Sequence, residues 1–95
     1  MVEISWSDWL DFSAEQIARV PESPGVFMMH AAMKILYIGD SDNLRSSIDK
    51  SLSSSCVCEA KRFRYSAIAA HDKIREQLLA EYKEKHDGKM PRCME

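Results

Sequence analysis

Apolar and polar residues along this chain follow strand-like and helix-like patterns, and strand-like patterns occur in three places. Val26–Ala31 and Ile35–Ile38 are short apolar runs joined by a few residues, which predicts an antiparallel hairpin. Residues 60–68 alternate instead, so that Phe63 and Tyr65 point to one side of a predicted strand while arginines point to the other. The pattern therefore predicts three strands.

The helical period, with apolar residues three or four positions apart, occurs in two longer segments. It predicts one helix over residues 44–52 and a last helix from about Ala70 to His86. A polar group precedes the first of these helices and supplies its candidate N-caps, which are Asp40, Ser41 and Asp42. Each helix has one apolar stripe, so we expect both to pack on the sheet.

A separate segment, residues 1–22, precedes these elements. Its Ser13 and Gln16 have the spacing of a capping box, and they predict a helix that ends before Pro21. Two tryptophans, Trp6 and Trp9, are expected to anchor the segment onto the core. The segment is therefore predicted to be a helical extension packed on the rest of the protein.

Length and composition are those of one small domain. The chain has 95 residues, and 45% of them are hydrophobic, which is near the globular average and argues against wholesale disorder. The element order predicts an α/β (α+β) fold, with a small three-stranded, mainly antiparallel sheet flanked by helices. We expect the domain to cover residues 23–95 and the acidic helical extension to cover residues 1–22.

The sequence shows no signal for export or for a membrane. No apolar run reaches the roughly 18 residues of a membrane span, and the first residues lack a signal peptide's basic start. A cytoplasmic protein is therefore expected. Its three cysteines, Cys56, Cys58 and Cys93, predict neither a disulfide framework nor a zinc site, because they are odd in number and lack a second ligand pair. Reduced, partly buried thiols are expected.

Charge is distributed unevenly along the chain. The total net charge is −2, which argues against tight, non-specific binding of nucleic acid, since such domains usually have a pI above about 9. Residues 1–22 carry five acidic side chains and one arginine, a net charge of −4, whereas the remaining residues carry +2. The candidates for weak phosphate contacts are Arg45, Lys61, Arg62 and Arg64.

Two short motifs on the predicted hairpin carry a family resemblance. Gly25-Val26-Phe27 and, after nine intervening residues, Tyr37-Ile38-Gly39 resemble the two-strand signature of the GIY-YIG nuclease family. Asp42-Asn43-Leu44-Arg45 is similar to the start of the family's next helix. The resemblance covers residues 21–94 and implies a small sheet flanked by helices, with the site on the sheet surface. The motif positions in this chain are Gly25, Phe27, Tyr37, Gly39, Asn43, Ser47, Arg75 and Met94.

The family's chemistry is metal-dependent hydrolysis of phosphodiesters. The resemblance implies two tyrosines that position or deprotonate water, an arginine that faces the phosphate, a glutamate that holds the metal and a supporting asparagine. In chain order, these five positions here are Phe27, Tyr37, Ser47, Arg75 and Met94. Only the second tyrosine is kept. Glu76 is adjacent to the glutamate position, but one residue along a helix turns a side chain by about 100°.

Two hypotheses about function follow from these substitutions. The first is a GIY-YIG-like domain that has lost catalysis and binds nucleic acid weakly or binds another protein, with no cofactor, small molecule or membrane expected. The alternative is an endonuclease with a rearranged active site that uses Mg²⁺ or Mn²⁺. That site would be built on Tyr37 and on Glu76 as the metal ligand, with Arg45 and Arg75 in support.

Overall fold

A computed structural model describes residues 6–31, 34–54 and 56–94, with only the backbone of Arg92. Residues 1–5 of the predicted extension and residues 32–33 of the predicted hairpin connection lie outside the described residues. The elements are β1 (Leu10–Asp11), α1 (Ala14–Ile17), β2 (Gly25–Ala31), β3 (Lys34–Ser41), α2 (Leu44–Ser51), β4 (Arg62–Ala67) and α3 (His71–Lys85). Short 3₁₀ turns lie at Val57–Glu59 and Arg92–Met94.

The strands form one antiparallel sheet in the order β1-β4-β2-β3. The predicted hairpin of β2 and β3 is confirmed, with Phe27 opposite Gly39. On the other side of β2, Phe27 lies opposite Tyr65 of β4. β2 is therefore a central strand, and β3 is an outer strand of the sheet.

Helices cover both faces of this sheet. α2 packs on one face, termed the α2 face, where Leu44 and Ile48 are buried with Phe63. α3 packs on the other, termed the α3 face, where Ile74 and Leu78 are buried. The predicted apolar stripes of both helices are thus confirmed. None of the described helices is long and apolar enough to cross a membrane.

The N-terminal segment adds a strand, so the prediction of a three-stranded sheet is wrong and the sheet has four. Leu10 of β1 lies opposite Phe63 of β4. Next to this pair, the N–H of Ser7 donates to the carbonyl oxygen of Tyr65 at 2.9 Å. A strand of two residues is too short to show a period of its own, which is why the sequence pattern did not reveal it.

Both predicted helix starts are close to the observed ones. The Ser13 hydroxyl accepts a hydrogen bond from the N–H of Gln16 at 3.4 Å, which confirms this cap, although α1 ends at Ile17, before the predicted stop. The cap of α2 is Asn43, whose side-chain oxygen accepts from the N–H of Ser46 at 3.1 Å. The three predicted caps of α2 were therefore placed too early, because the extended strand continues to residue 41.

Cys56 and Cys93 form a disulfide bond, so the expectation of reduced thiols is wrong for this pair. Their Cα atoms are 5.8 Å apart, although 37 positions separate them in the sequence. Sequence spacing does not reveal such a pair, because the fold brings the two residues together. Cys58 is free and exposed.

Candidate functional site

A cleft of about 260 Å³ lies where β2 and β3 meet α2. The strands contribute Phe27, Tyr37 and Asp40 to its lining, and α2 contributes Ser47 and Lys50 among others. Three of the motif positions, at residues 27, 37 and 47, therefore meet in one place. The cleft is the candidate active site that the resemblance implies on the sheet surface.

A β-bulge in β3 lies directly beside Tyr37. Met29 pairs with Tyr37 and His30 pairs with Ile35, so Leu36 is an extra residue in β3. Leu36 and Tyr37 consequently both pack against the core of the α2 face, instead of alternating between the two faces. The bulge therefore turns Leu36 toward the α2 face, while Tyr37 keeps the side that its regular pairing with Met29 gives it.

The rings of Phe27 and Tyr37 stack, with centroids 5.8 Å apart and planes inclined by 26°. Gly39 lies against both rings, since a Cβ at this position would be 2.5 Å from Cε1 of Tyr37 and 2.7 Å from Cζ of Phe27. At Gly25, a Cβ would be 2.1 Å from the backbone oxygen of Ser66. Both motif glycines are thus required by packing, whether or not the domain is catalytic.

Ser47 is the residue that the resemblance aligns with the family's phosphate-facing arginine. Its hydroxyl lies 2.5 Å from the hydroxyl of Ser41. The Ser41 hydroxyl also donates to the carbonyl oxygen of Asn43 at 2.8 Å and accepts from its N–H at 2.9 Å. These hydroxyls stabilise the start of α2, and they bring no positive charge to the cleft.

The cation that lines the cleft is Lys50, which the sequence analysis missed. Lys50 follows Ser47 by three positions on α2, and residues three apart lie on the same face of a helix. This spacing from a motif position is the signal that would have identified it.

Asp40 lies near the end of β3 and is held by two basic side chains of α3. Its Oδ2 is 2.6 Å from Nδ1 of His71, and its Oδ1 is 3.5 Å from Nε of Arg75. The other ring nitrogen of His71, Nε2, is 3.0 Å from a carboxylate oxygen of Asp42. The hydrogen bond to Asp40 raises the pKa of His71, burial opposes this increase, and the bond to Asp42 adds to it. The protonated imidazolium satisfies both carboxylates, because both of its nitrogens are then donors.

These residues do not fit a divalent metal ion. The two nitrogens of His71 face different carboxylates from different sides of the ring, so Asp40 and Asp42 do not converge on one point. Arg75, which the resemblance aligns with the family's glutamate, has its Nε 3.5 Å from Oδ1 of Asp40. Glu76 is exposed on α3 and does not line the cleft. Across residues 6–31, 34–54 and 56–94, no three His, Cys, Asp or Glu side chains form a group able to hold a metal.

Arg45 and Lys61, two of the candidate phosphate contacts, lie at separate places. Nε of Arg45 donates to the carbonyl oxygen of Val20 at 2.7 Å, and its Nη1 is 3.8 Å from Glu22. Arg45 and Glu22 line a second cleft of about 300 Å³ between α1 and α2. Lys61 is exposed next to the start of β4.

Arg62 and Arg64 are both engaged by the acidic N-terminal segment. Arg62 forms an ion pair with Asp11. The guanidinium of Arg64 lies 4.5 Å from the ring centroid of Trp6 and 4.6 Å from that of Trp9. Burial lowers the pKa of Arg64. The segment therefore covers the basic side of β4 with both charge and aromatic surface.

The sheet separates these two arginines from the candidate active site. Nη2 of Arg64 contacts the sulfur of Met28 at 3.5 Å, and Met28 belongs to the core of the α3 face. Phe63, between the two arginines, belongs to the core of the α2 face, where the cleft lies. The four candidate cations do not form one continuous surface with the cleft.

Comparisons with known proteins agree with this fold. A family model described as a domain of unknown function, DUF7508, matches residues 5–85. The magnesium-bound GIY-YIG N-terminal endonuclease domain of UvrC from Thermotoga maritima is similar, with a TM-score of 0.60 and 20% identity over 83% of this chain and 91% of that chain. A tyrosine-to-phenylalanine point mutant of that domain, bound to the catalytic divalent cation, is similar with a TM-score of 0.60 and 21% identity, over 83% of this chain and 90% of that chain. Sequence comparison with the curated proteins finds no match.

An identity near 20% establishes the fold and leaves the activity open. The structural similarity confirms the GIY-YIG-like fold that the two motifs predict, with one strand more than expected. The chain therefore belongs to the DUF7508 family, and its fold is that of a GIY-YIG endonuclease domain.

Proposed function

We propose that this protein is a GIY-YIG-like domain that does not hydrolyse phosphodiesters and acts instead as a binding module. The cluster around Asp40 carries the proposal. The one carboxylate that lines the cleft is held by His71 and faces Arg75, within the described residues. Arg75 is also the residue that the resemblance aligns with the family's metal-binding glutamate, so in this alignment a cation replaces the carboxylate that the metal ion needs.

The other substitutions support the loss of catalysis. Phe27 has no hydroxyl with which to orient water, and Ser47 has no charge with which to stabilise the phosphate. Loss of one preorganised charge-stabilising group costs on the order of 10²–10³ in rate. Lys50 lines the cleft, but its ammonium is a point charge and does not reproduce the planar fork of an arginine. Tyr37 remains, without a metal-activated water to act on.

Among ligands, the observed contacts favour a protein over a nucleic acid. The side chains of Arg45, Arg62 and Arg64 are each engaged by residues of the N-terminal 22. A phosphate-dominated complex gains its affinity from cations that replace condensed counterions. Here, three of the four candidate cations would first have to leave their present partners. The net charge of −2 also argues against a nucleic-acid ligand.

A salt titration distinguishes the two ligand classes. Fluorescence anisotropy with labelled single-stranded, duplex and branched DNA, and with RNA, is expected to show binding no tighter than about 10⁻⁴ M near physiological salt. Asp11→Asn, which releases Arg62 from its ion pair, is expected to strengthen whatever binding occurs. Tight wild-type binding that weakens steeply with salt, and that Lys61→Ala impairs, would instead identify a nucleic-acid-binding domain.

One observation favours the alternative, a metal-dependent endonuclease with a rearranged site: Tyr37 does line the cleft. In the Thermotoga domain, a tyrosine-to-phenylalanine mutant still holds its catalytic cation, so Phe27 alone does not exclude a metal. A titration with Mn²⁺, followed by NMR, tests the site directly. We expect no paramagnetic broadening centred on Tyr37 and Asp40. Localised broadening there that Glu76→Ala abolishes would establish the alternative.

A further inference from the structure

Residues 91–94, termed the edge cover, lie against the free edge of β3. In the order β1-β4-β2-β3, the outer side of β3 has no strand partner among the described residues. The backbone N–H of Ile38 donates to Sδ of Met94 at 3.4 Å. An uncovered edge strand is a template for pairing with another chain. The edge cover therefore protects the part of the sheet most open to such pairing.

The edge cover joins the two faces of the sheet. Cys93 packs against the core of the α2 face, whereas Met94 packs against the core of the α3 face. Pro91 is fully buried. Residues 86–89, which connect α3 to the edge cover, are exposed. Such a connection contributes few buried contacts. The edge cover therefore stays on β3 only if its own residues, beyond this connection, are held in place.

The disulfide bond holds the edge cover at Cys93. Cys93 is bonded to Cys56, which lies directly before the turn Val57–Glu59. Cys56 has φ 70° and ψ −57°, a backbone conformation that residues other than glycine rarely adopt and that persists when the surroundings impose it. Breaking the bond thus removes the covalent anchor and also allows Cys56 to relax.

We propose that the bond between Cys56 and Cys93 is a redox-controlled latch, and that its reduction releases the edge cover from β3. A dithiol supplies two electrons and two protons. The Sγ–Sγ bond breaks, one S–H forms on each cysteine, and the two sulfurs of the dithiol become joined in a disulfide. Release exposes the N–H of Ile38 at the sheet edge. Cys58, which is exposed and free, stays outside the latch.

Backbone ¹⁵N relaxation on the protein oxidised with glutathione disulfide, and on the same sample reduced with a dithiol, tests the latch. On reduction, the order parameter of the Met94 amide should fall from about 0.85 to below about 0.6. That of Met29, on the central strand β2, should not change. Cys93→Ser should show the mobile state without reductant, and the matched control Cys58→Ser should show the wild-type response. Thiol titration should count one free thiol before reduction and three after it.

Three results would overturn the proposal. The first is a Met94 amide that stays rigid in the reduced protein and in Cys93→Ser. The second is an equal loss of order at Met29, which would mean general loosening instead of local release. The third is a count of three free thiols in the oxidised sample. Because the variants differ in one sulfur atom each and the wild type is measured in both redox states, a failure of one variant to fold does not affect the comparison.

Discussion

Gly39 lies beneath the stacked rings of Phe27 and Tyr37, and a methyl group there would overlap both. The second glycine, Gly25, is similarly confined by the backbone of β4. The two motif glycines of this chain are therefore explained by packing, and Phe27 stacks on Tyr37 without a hydroxyl. Two glycines fixed by packing beside a phenylalanine at residue 27 agree with the proposed domain that keeps the fold without the reaction.

The packing role of Gly39 is testable by substitution. Gly39→Ala is expected to lower the free energy of unfolding by about 3 kcal/mol, at the upper end for overpacking, because the added methyl group meets two rings in a buried site. Gly88→Ala is the matched control: it has open space but φ +82°, so its cost should be about 1 kcal/mol. Urea unfolding measures both. An Ala at residue 39 that costs no more than one at residue 88 would contradict this account of the motif.

His71 makes stability depend on pH. Its pKa is raised in the folded state, chiefly by the hydrogen bond to Asp40, so the protonated form is the one that folding favours. This stabilisation is fully present below the unfolded pKa of about 6.5 and is lost as the pH rises through the folded pKa. The wild type should therefore exceed His71→Gln in unfolding free energy by more at about pH 5.5 than at about pH 8.5.

An NMR titration of the His71 ring provides the direct check. The midpoint is expected above about 6.5, and Asp40→Asn should move it down by more than Asp42→Asn, because Asp40 makes the stronger contact. A wild-type midpoint at or below the ordinary value, or a stability difference that grows with rising pH, would be incompatible with the ion-pair cluster.

Among the elements, the N-terminal segment covers the basic side of β4. β1 extends the sheet beside β4, and Trp6 and Trp9 enclose the guanidinium of Arg64. A double-mutant cycle of Trp9→Ala with Arg64→Ala should give a coupling energy of about 0.5–2 kcal/mol, as expected for a cation near an aromatic face. The same tryptophan paired with Lys61→Ala should give no coupling. Equal coupling in the two cycles, or none in either, would show that the segment does not hold this arginine.

Long periodic elements were predictable from the sequence, and short or long-range features were not. The strands and helices that carry Phe63 and Ile74 show clear periods, so their type and place are confirmed. β1 has two residues and no period. The bulge at Leu36, beside Tyr37, arises from pairing with β2, and the disulfide joins residues that the fold brings together.

The candidate site was predictable to the extent that its residues lie on one hairpin and the next helix. Residues 27, 37 and 47 meet as the motif spacing implies. The cluster of Asp40, His71 and Arg75 was missed, because it depends on how α3 crosses the end of β3. Asp40 alone had a simpler interpretation as a helix cap. Only the relative position of two elements reveals its basic partners.

At the scale of the whole molecule, the two faces of the sheet carry different groups of residues. The α2 face holds the cleft, where Tyr37 and Lys50 lie with Asp40, whose carboxylate is paired with basic side chains of α3. The α3 face holds the arginines of β4, which the acidic segment covers. The uneven charge along the sequence thus becomes a contact between the acidic segment and the arginines of β4. The molecule keeps the nuclease fold and directs its charged groups toward one another.

A cleavage assay under single-turnover conditions tests this account most directly. The wild type, Glu76→Ala and Tyr37→Phe are incubated with duplex, nicked and branched DNA in Mg²⁺ or Mn²⁺, with EDTA as the blank. All three proteins are predicted to cleave at the rate of the blank, because the cleft lacks the arginine and an available metal carboxylate. Wild-type cleavage that requires the metal and that Glu76→Ala abolishes would contradict the account and establish a working nuclease.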